Sequence, residues 1–401
     1  MKRILLITTL TALALAGCHS SKDSNIQPPT KLTKFTPTVS VQRVWKESVG
    51  EGAQESGVRM RPAFADGVLY AASTDGVIKA LDAKTGKTLW RDKGPSRGWF
   101  SWWGKEKPLK DTRYAGGPGV GSGLVVVGTL NGHVYALDAR TGKQRWMATV
   151  TSEVLAPPVV LTHITVVRTE DGNVFGLDTR TGKQLWLYDQ DTVPSLSLRG
   201  LGPMLVAHGV VFFGSADGKL VAIRLDNGEK LWDLPLASGE GRTEIERLND
   251  ADGDIVFDGN MLYADAYHGN LTQVDGASGR PGWHRKLSTY TSLDLGGHTL
   301  VGVDSHSNVW AFDKGSGSDL WKQDKLKWRW LSAPSVMGKY VVVGDLKGYV
   351  HWLQLDNGKL AAREQLSSDA IRSQPLVVGN MVYVEDVKGH IGAYRLGPAR
   401  H

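Results

Sequence analysis

Three aspartates at alternate positions, Asp250, Asp252 and Asp254 in NDADGDIV, come closest in this 401-residue chain to the spacing of metal ligands. Calcium loops take carboxylates from alternate positions, with a glycine at the sixth position for the turn and a glutamate at the twelfth to close the shell. Counted from Asp250, those positions hold Ile255 and Met261, so no calcium loop is expected. The eleven histidines lack zinc-ligand spacing, and neither a nucleophile elbow nor a phosphate-binding glycine loop occurs. No catalytic residue, metal or cofactor is therefore expected from the residues alone.

The single cysteine, Cys18, has a different chemistry. Lys2 and Arg3 precede an apolar run, Ile4 to Ala16, that is too short to cross a bilayer of ~30 Å as a helix. The run ends in Leu15-Ala16-Gly17-Cys18, which resembles a lipoprotein cleavage box with the cysteine as the acylated residue. Residues 1–17 then read as a signal peptide and Cys18 as a lipid anchor, with acyl chains contributing ~0.8 kcal/mol per buried methylene. A lone cysteine leaves no intrachain disulfide for an oxidising compartment. In the lipoproteins that this stretch resembles, aspartate after the cysteine favours inner-membrane retention. Here the residue is His19, so the expected destination is the outer membrane, with the protein on its periplasmic face. Residues 18–38 are polar, with Pro28, Pro29 and Pro37, and read as a flexible tether.

The formal charge is +6 and falls to +4 without Lys2 and Arg3, with no basic stripe, so nucleic acid is not an expected partner. Two stretches have the composition of protein contacts. In PSLSLRG (194–200), Leu196 and Leu198 are apolar anchors beside the cation Arg199, a mixture enriched in binding hot spots; both leucines as core residues is the other reading. In GWFSWWGKEKPLKD (98–111), Trp99, Trp102 and Trp103 sit among lysines, as an accessory contact or as a flap over its own blade edge.

The elements that position these stretches come from an internal repeat. Asp171 to Trp186, DGNVFGLDTRTGKQLW, has relatives down the whole chain. Aligned on the opening glycine, eight units begin at Gly76, Gly132, Gly172, Gly218, Gly269, Ser307, Gly348 and Gly389. Fourteen residues on stands Trp90, Trp146, Trp186, Trp232, Trp283 or Trp321, with Ala362 in the seventh unit. The eighth ends before that position, and Trp45 near the N-terminus supplies the missing ring. Each unit reads as short apolar strands joined by Asp- and Gly-containing turns at a period of about 40 residues, with no helical periodicity. The expected fold is all-β: an eight-bladed β-propeller of four-stranded antiparallel blades over 39–397, its ring closed by Val41 to Val49 in the last blade. Extra chain follows Trp90, Trp186 and Trp232, and in an up-and-down blade these insertions all leave from one face of the disk.

The motif A-L-D-x-x-T-G-K-x-x-W, at Ala80 to Trp90 and Ala136 to Trp146, is similar to the tryptophan-docking repeat of pyrroloquinoline-quinone dehydrogenases. That resemblance implies a quinone and calcium in the central channel and makes a periplasmic dehydrogenase the alternative reading. Those enzymes are usually longer, and many use a vicinal cysteine pair that this chain lacks. The lipobox, the repeats, PSLSLRG, TEIERLNDAD (243–252) and VGDLKGYVHW (343–352) together resemble the outer-membrane protein assembly factor B family, the propeller lipoproteins of the β-barrel assembly machinery. This resemblance spans essentially the whole chain. It implies a non-enzymatic scaffold that binds the POTRA domains of the central barrel-inserting subunit and assists nascent outer-membrane proteins. It also implies a contact through Leu196, Leu198, Arg199, Asp250 and Asp252.

Overall fold

The computed structural model describes residues 27–54, 56–93, 113–190, 202–237, 250–251 and 253–399. Among these the chain is all β, with thirty-two strands in eight four-stranded antiparallel sheets. In seven sheets the four strands are consecutive in the chain, as in the first blade: Ala63–Ala65, Val68–Ala72, Ile78–Asp82 and Thr88–Asp92. First strands of neighbouring blades touch one another, which puts them at the centre of the ring.

The middle strands are packed by a blade on each side, so they read as continuous apolar runs rather than alternating ones. Leu69, Tyr70, Ala71 and Ala72 are all buried, as are Val125 to Val127 and Val341 to Val343. The outer strand has one packed neighbour in its sheet and mixes exposed and half-buried residues.

The repeated tryptophan and glycine form an interlock between blades. Trp90, Trp146, Trp186 and Trp321 each donate their indole N–H to a carbonyl of the next blade, at Ala139 (2.8 Å), Thr179 (2.8 Å), Leu225 (2.9 Å) and Leu355 (2.8 Å). Each ring lies over the glycine of the same turn: Gly142 on Trp90, Gly182 on Trp146, Gly228 on Trp186 and Gly358 on Trp321, all at positive φ. A side chain there would enter the ring, so glycine is needed for space as well as for backbone conformation. A bulge beside the tryptophan aims it inward and turns the preceding residue out. Leu89, Leu185, Leu231 and Leu320 are exposed for this reason. An aspartate opens and caps five of these seven turns, with Arg224 and Gln354 in its place in the fourth and seventh blades. Asp178 accepts the Thr181 amide (2.8 Å) and hydroxyl (2.6 Å), and these hydrogen bonds hold its carboxyl below the ordinary range.

The eighth blade takes its outer strand from the other end of the chain. Val39–Ser48 pairs antiparallel with His390–Ala399, and Trp45 donates to the Ala83 carbonyl (3.0 Å) across Gly86 of the first blade. The ring is closed as the sequence predicts. Residues 27–38, read above as part of a flexible tether, are instead packed against the sixth and seventh blades. Leu32 and Phe35 lie on the core between those blades, the Thr30 amide donates to Lys327 O (3.1 Å), and the Thr38 amide to Ala361 O (2.9 Å). Two apolar side chains among prolines suffice because the carbonyls of the segment take bonds from the buried Arg329 and the half-buried Arg363. Arg329 Nη1 donates to Thr30 O (2.9 Å) and Arg363 Nη1 to Thr33 O (3.2 Å).

Candidate interaction site

The roots of the loops singled out by length share one face, and a recurring backbone bond fixes it. In seven blades the turn between the second and third strands donates an amide to the carbonyl of the chain entering that blade. Examples are Thr74 to Gly52 (3.0 Å), Glu170 to Glu153 (2.8 Å), Tyr267 to Asp250 (2.8 Å) and Val387 to Ala370 (2.9 Å). Interblade connections and these turns therefore lie together, opposite the Asp-to-Lys turns. The insertions at 94–112, 191–201 and 238–249 all leave from the connection side. Leu196, Leu198, Arg199, Asp252, Trp99, Trp102, Trp103 and Cys18 lie outside the described residues.

The roots of the second and third insertions bracket the fourth blade. The second leaves at Gln190, whose amide donates to Asn173 Oδ1 (3.2 Å), and returns through Gly202 and Pro203 to the buried Met204. The third returns at Asp250 and Ala251, and the Ala251 amide donates to Ser215 O (3.2 Å) in the fourth blade's turn. Gly214 must be glycine here, because the Ala251 carbonyl occupies the place of a Cβ. Asp250, the described member of the predicted contact set, is only 1% exposed, and its carbonyl carries the Tyr267 amide. Its side chain is turned into the fold, so this position anchors the loop root.

Two groups on this face were not singled out in the sequence. Tyr267 and the exposed His268 stack at 4.0 Å with an interplanar angle of 28°, directly beside the Asp250 root. The available signal was AYHG in a turn where most units carry small or charged residues before the glycine. Trp328 and Trp330 lie in the connection from the sixth to the seventh blade, both at positive φ. Trp330 is 51% exposed, while Arg329 between them turns inward to Asp345 (2.7 Å). KWRW was legible as aromatic and basic, but its loop is not an insertion and length did not flag it.

The channel is the place where a dehydrogenase would hold its cofactor. It has a cavity of about 60 Å³, against the several hundred of a cofactor site. Arg61 and Asp254 bridge it at 2.8 Å from the first blade to the fifth, and Arg61 also meets Gln374 of the eighth. The third aspartate of NDADGD is thus committed to an ion pair. Asp265, buried beside Asp254, has its carboxyl pushed well up, first by burial and then by that neighbouring charge. These groups do not fit a quinone and its metal. The one set of three possible ligands among the described residues, Asp369, Asp386 and His390, lies in the eighth blade. There Asp386 already accepts the amides of Lys388 (2.9 Å) and His390 (3.0 Å) as a turn cap.

Fold and site define a class: a closed eight-bladed propeller built on tryptophan-docking repeats, with the roots of its long insertions on one face. The family model described as outer membrane protein assembly factor BamB matches residues 39–99, 75–323 and 307–396. An outer membrane protein assembly factor BamB of Xanthomonas campestris is 43% identical, covering 98% of each chain. The crystal structure of BamB from Moraxella catarrhalis superposes with a TM-score of 0.77 at 28% identity, over 89% of this chain and all of that one. A quinohemoprotein alcohol dehydrogenase of Pseudomonas putida shares the fold alone, with a TM-score of 0.69 at 15% identity over 91% of this chain and 77% of its own. The chain belongs to the BamB family of outer membrane protein assembly factors.

Proposed function

We infer that the protein is a non-enzymatic scaffold of the outer-membrane β-barrel assembly complex. It is held by lipid at Cys18 on the periplasmic face of the outer membrane, after removal of residues 1–17. It binds the POTRA domains of the central subunit and assists the folding and insertion of outer-membrane proteins. The contact runs through Leu196, Leu198 and Arg199 of one insertion and Asp252 of the next, with Asp250 fixing the root of the second. The observation that carries this reading is that both insertions are rooted on either side of the fourth blade, on one face of a ring whose repeats are occupied in holding the blades together. Rigid scaffolds place binding on such loops. Tyr267 and His268 extend the same patch with an aromatic surface, and Trp99, Trp102 and Trp103 form an accessory contact from the first insertion.

The test is co-purification from detergent-solubilised envelope. Arg199→Glu and Leu196→Ala should each reduce recovery of the central subunit several-fold, with thermal unfolding unchanged. Full recovery in both variants would remove the contact from this loop.

A further inference from the structure

Among the described residues, the mouth of the channel on the connection side carries two arginines that are in no ion pair. The residues around the cavity come from the segments that enter the blades, so it opens on the side of the interblade connections. Arg61 and Asp254 neutralise one another, and the Gln374 side chain, which meets Arg61, donates to the Pro334 carbonyl (2.8 Å). Two cations are left over. Arg59 of the first blade uses Nη1 on the Tyr290 carbonyl (2.7 Å) and keeps its remaining N–H groups. Arg372 of the eighth blade lines the same cavity, is exposed, and has no hydrogen bond or ion pair among the described residues. Both lie near Tyr290. Burial pushes its phenol up; the charge of Arg59 and, more weakly, that of Arg372 act against the shift, while Asp304 and Tyr267 add to it.

We propose that Arg59 and Arg372 form a binding site for one carboxylate of an acidic polypeptide segment lying across the loop-bearing face. The cavity of about 60 Å³ has room for a carboxylate group. Guanidinium groups match a planar carboxylate with paired N–H donors. The Arg61–Asp254 bridge forms the floor, so the ligand reaches the mouth and does not thread the ring. A polypeptide is the expected source of the carboxylate because the opening shares its face with the loops. This site uses the first and eighth blades and stands independently of the loop contact around the fourth.

Fluorescence polarisation with labelled hexaglutamate on the full-length protein, at fixed ionic strength, tests the assignment. Arg59→Ala with Arg372→Ala should weaken binding by about tenfold or more. Lys143→Ala with Lys183→Ala, exposed on the opposite face, should leave it unchanged. Equal affinity in the arginine variant, an equal loss in the lysine variant, or equally tight binding of hexaglutamine would overturn the proposal. Acetate and inorganic phosphate serve as competitors, and saturation of the mouth by either where hexaglutamate does not bind would overturn the polypeptide assignment. If the double variant fails to fold, Arg372→Ala alone carries the test, since that side chain makes no bond to lose.

Discussion

Trp352 and Ala362 face each other across the third and outer strands of the seventh blade, with the large residue on the third strand. Elsewhere the order is reversed, as in Ala80 opposite Trp90, Ala136 opposite Trp146 and Gly176 opposite Trp186. The cause is the closure of the ring. An outer-strand tryptophan docks on the turn between the third and outer strands of the next blade, and the eighth blade has no such turn because its outer strand comes from Val39–Ser48. The space is filled instead by Val39 and Tyr394, with Trp352 edge-on to Tyr394 at 5.7 Å. Trp352→Ala should cost ~3–5 kcal/mol and Ala362→Trp ~1–3 kcal/mol in urea unfolding. The exchanged double variant should remain less stable than the parent. Recovery of parental stability would mean that the missing turn is not the reason.

Gly182 and Gly209 have similar backbone angles, φ 73° and 76°, but different surroundings. A Cβ at Gly182 would enter the Trp146 ring, whereas one at Gly209 meets nothing within 4 Å. Gly209→Ala should cost only the left-handed strain of ~1–2 kcal/mol. Gly182→Ala should cost distinctly more, and the difference should shrink in a Trp146→Ala background, as a double-mutant cycle would measure.

The segment 27–38 should loosen in acid. His351 is buried, its Nε2 lies 2.9 Å from Asp345, and its Nδ1 accepts Arg363 Nε (3.2 Å), so the neutral ring joins Arg363 to the Asp345–Arg329 pair. Burial pushes the His351 pKa down, against the pull of Asp345. Burial alone would raise the Asp345 carboxyl, but hydrogen bonds and charge from His351 and Arg329 hold it low. A histidine with a depressed folded pKa contributes its full stability above the unfolded value of ~6.5 and loses it as pH falls toward the folded value. Protonation would remove the acceptor for Arg363 and set two cations together. Protease cleavage within 27–38 should therefore accelerate below pH 6, and His351→Gln should flatten that dependence. A rate independent of pH in the parent would count against the coupling.

Glu385 is 3% exposed, and neither of its carboxylate oxygens has a hydrogen-bond partner. Burial, then the charge of Asp386, raises its pKa well above the ordinary value. An acid that is neutral when folded and ionised when unfolded loses stability as pH rises from its unfolded pKa through its folded one. Glu385→Gln should thus stabilise the protein by ~1–3 kcal/mol at pH 8. The gain should fade toward pH 4, where both states hold the proton. A benefit that is constant across this range would assign it to packing.

The architecture was legible because one physical requirement, docking each blade on the next, is written into the same residues at seven of the eight blade interfaces. Trp90, Gly142 and Asp138 announce themselves by spacing, and even Trp45 could be assigned to the last blade by counting. The exception at Ala362 was visible, but its reason was not, since it depends on which blade lacks a turn. The docking of 27–38 was missed because its stabilising partners, Arg329 and Arg363, lie about 300 residues away. At the site, the face was readable from insertion lengths, while the burial of Asp250 and the stacking of Tyr267 on His268 were not. Composition cannot say whether a carboxylate in an acidic loop points outward or into the blade beneath it.

The pairing of Val39–Ser48 with His390–Ala399 also sets the order of events when the protein is made. The first strand of the domain to emerge from the ribosome has as its partner the last. Blades one to seven can assemble locally as they appear, since each is contiguous in the chain and docks on its predecessor. The leading strand must wait unpaired for the whole domain to pass, with Val39 uncovered, so the final step has the longest loop to close and is the slow one. A chain stalled a few residues short of Ala399 would hold seven finished blades and an open seam.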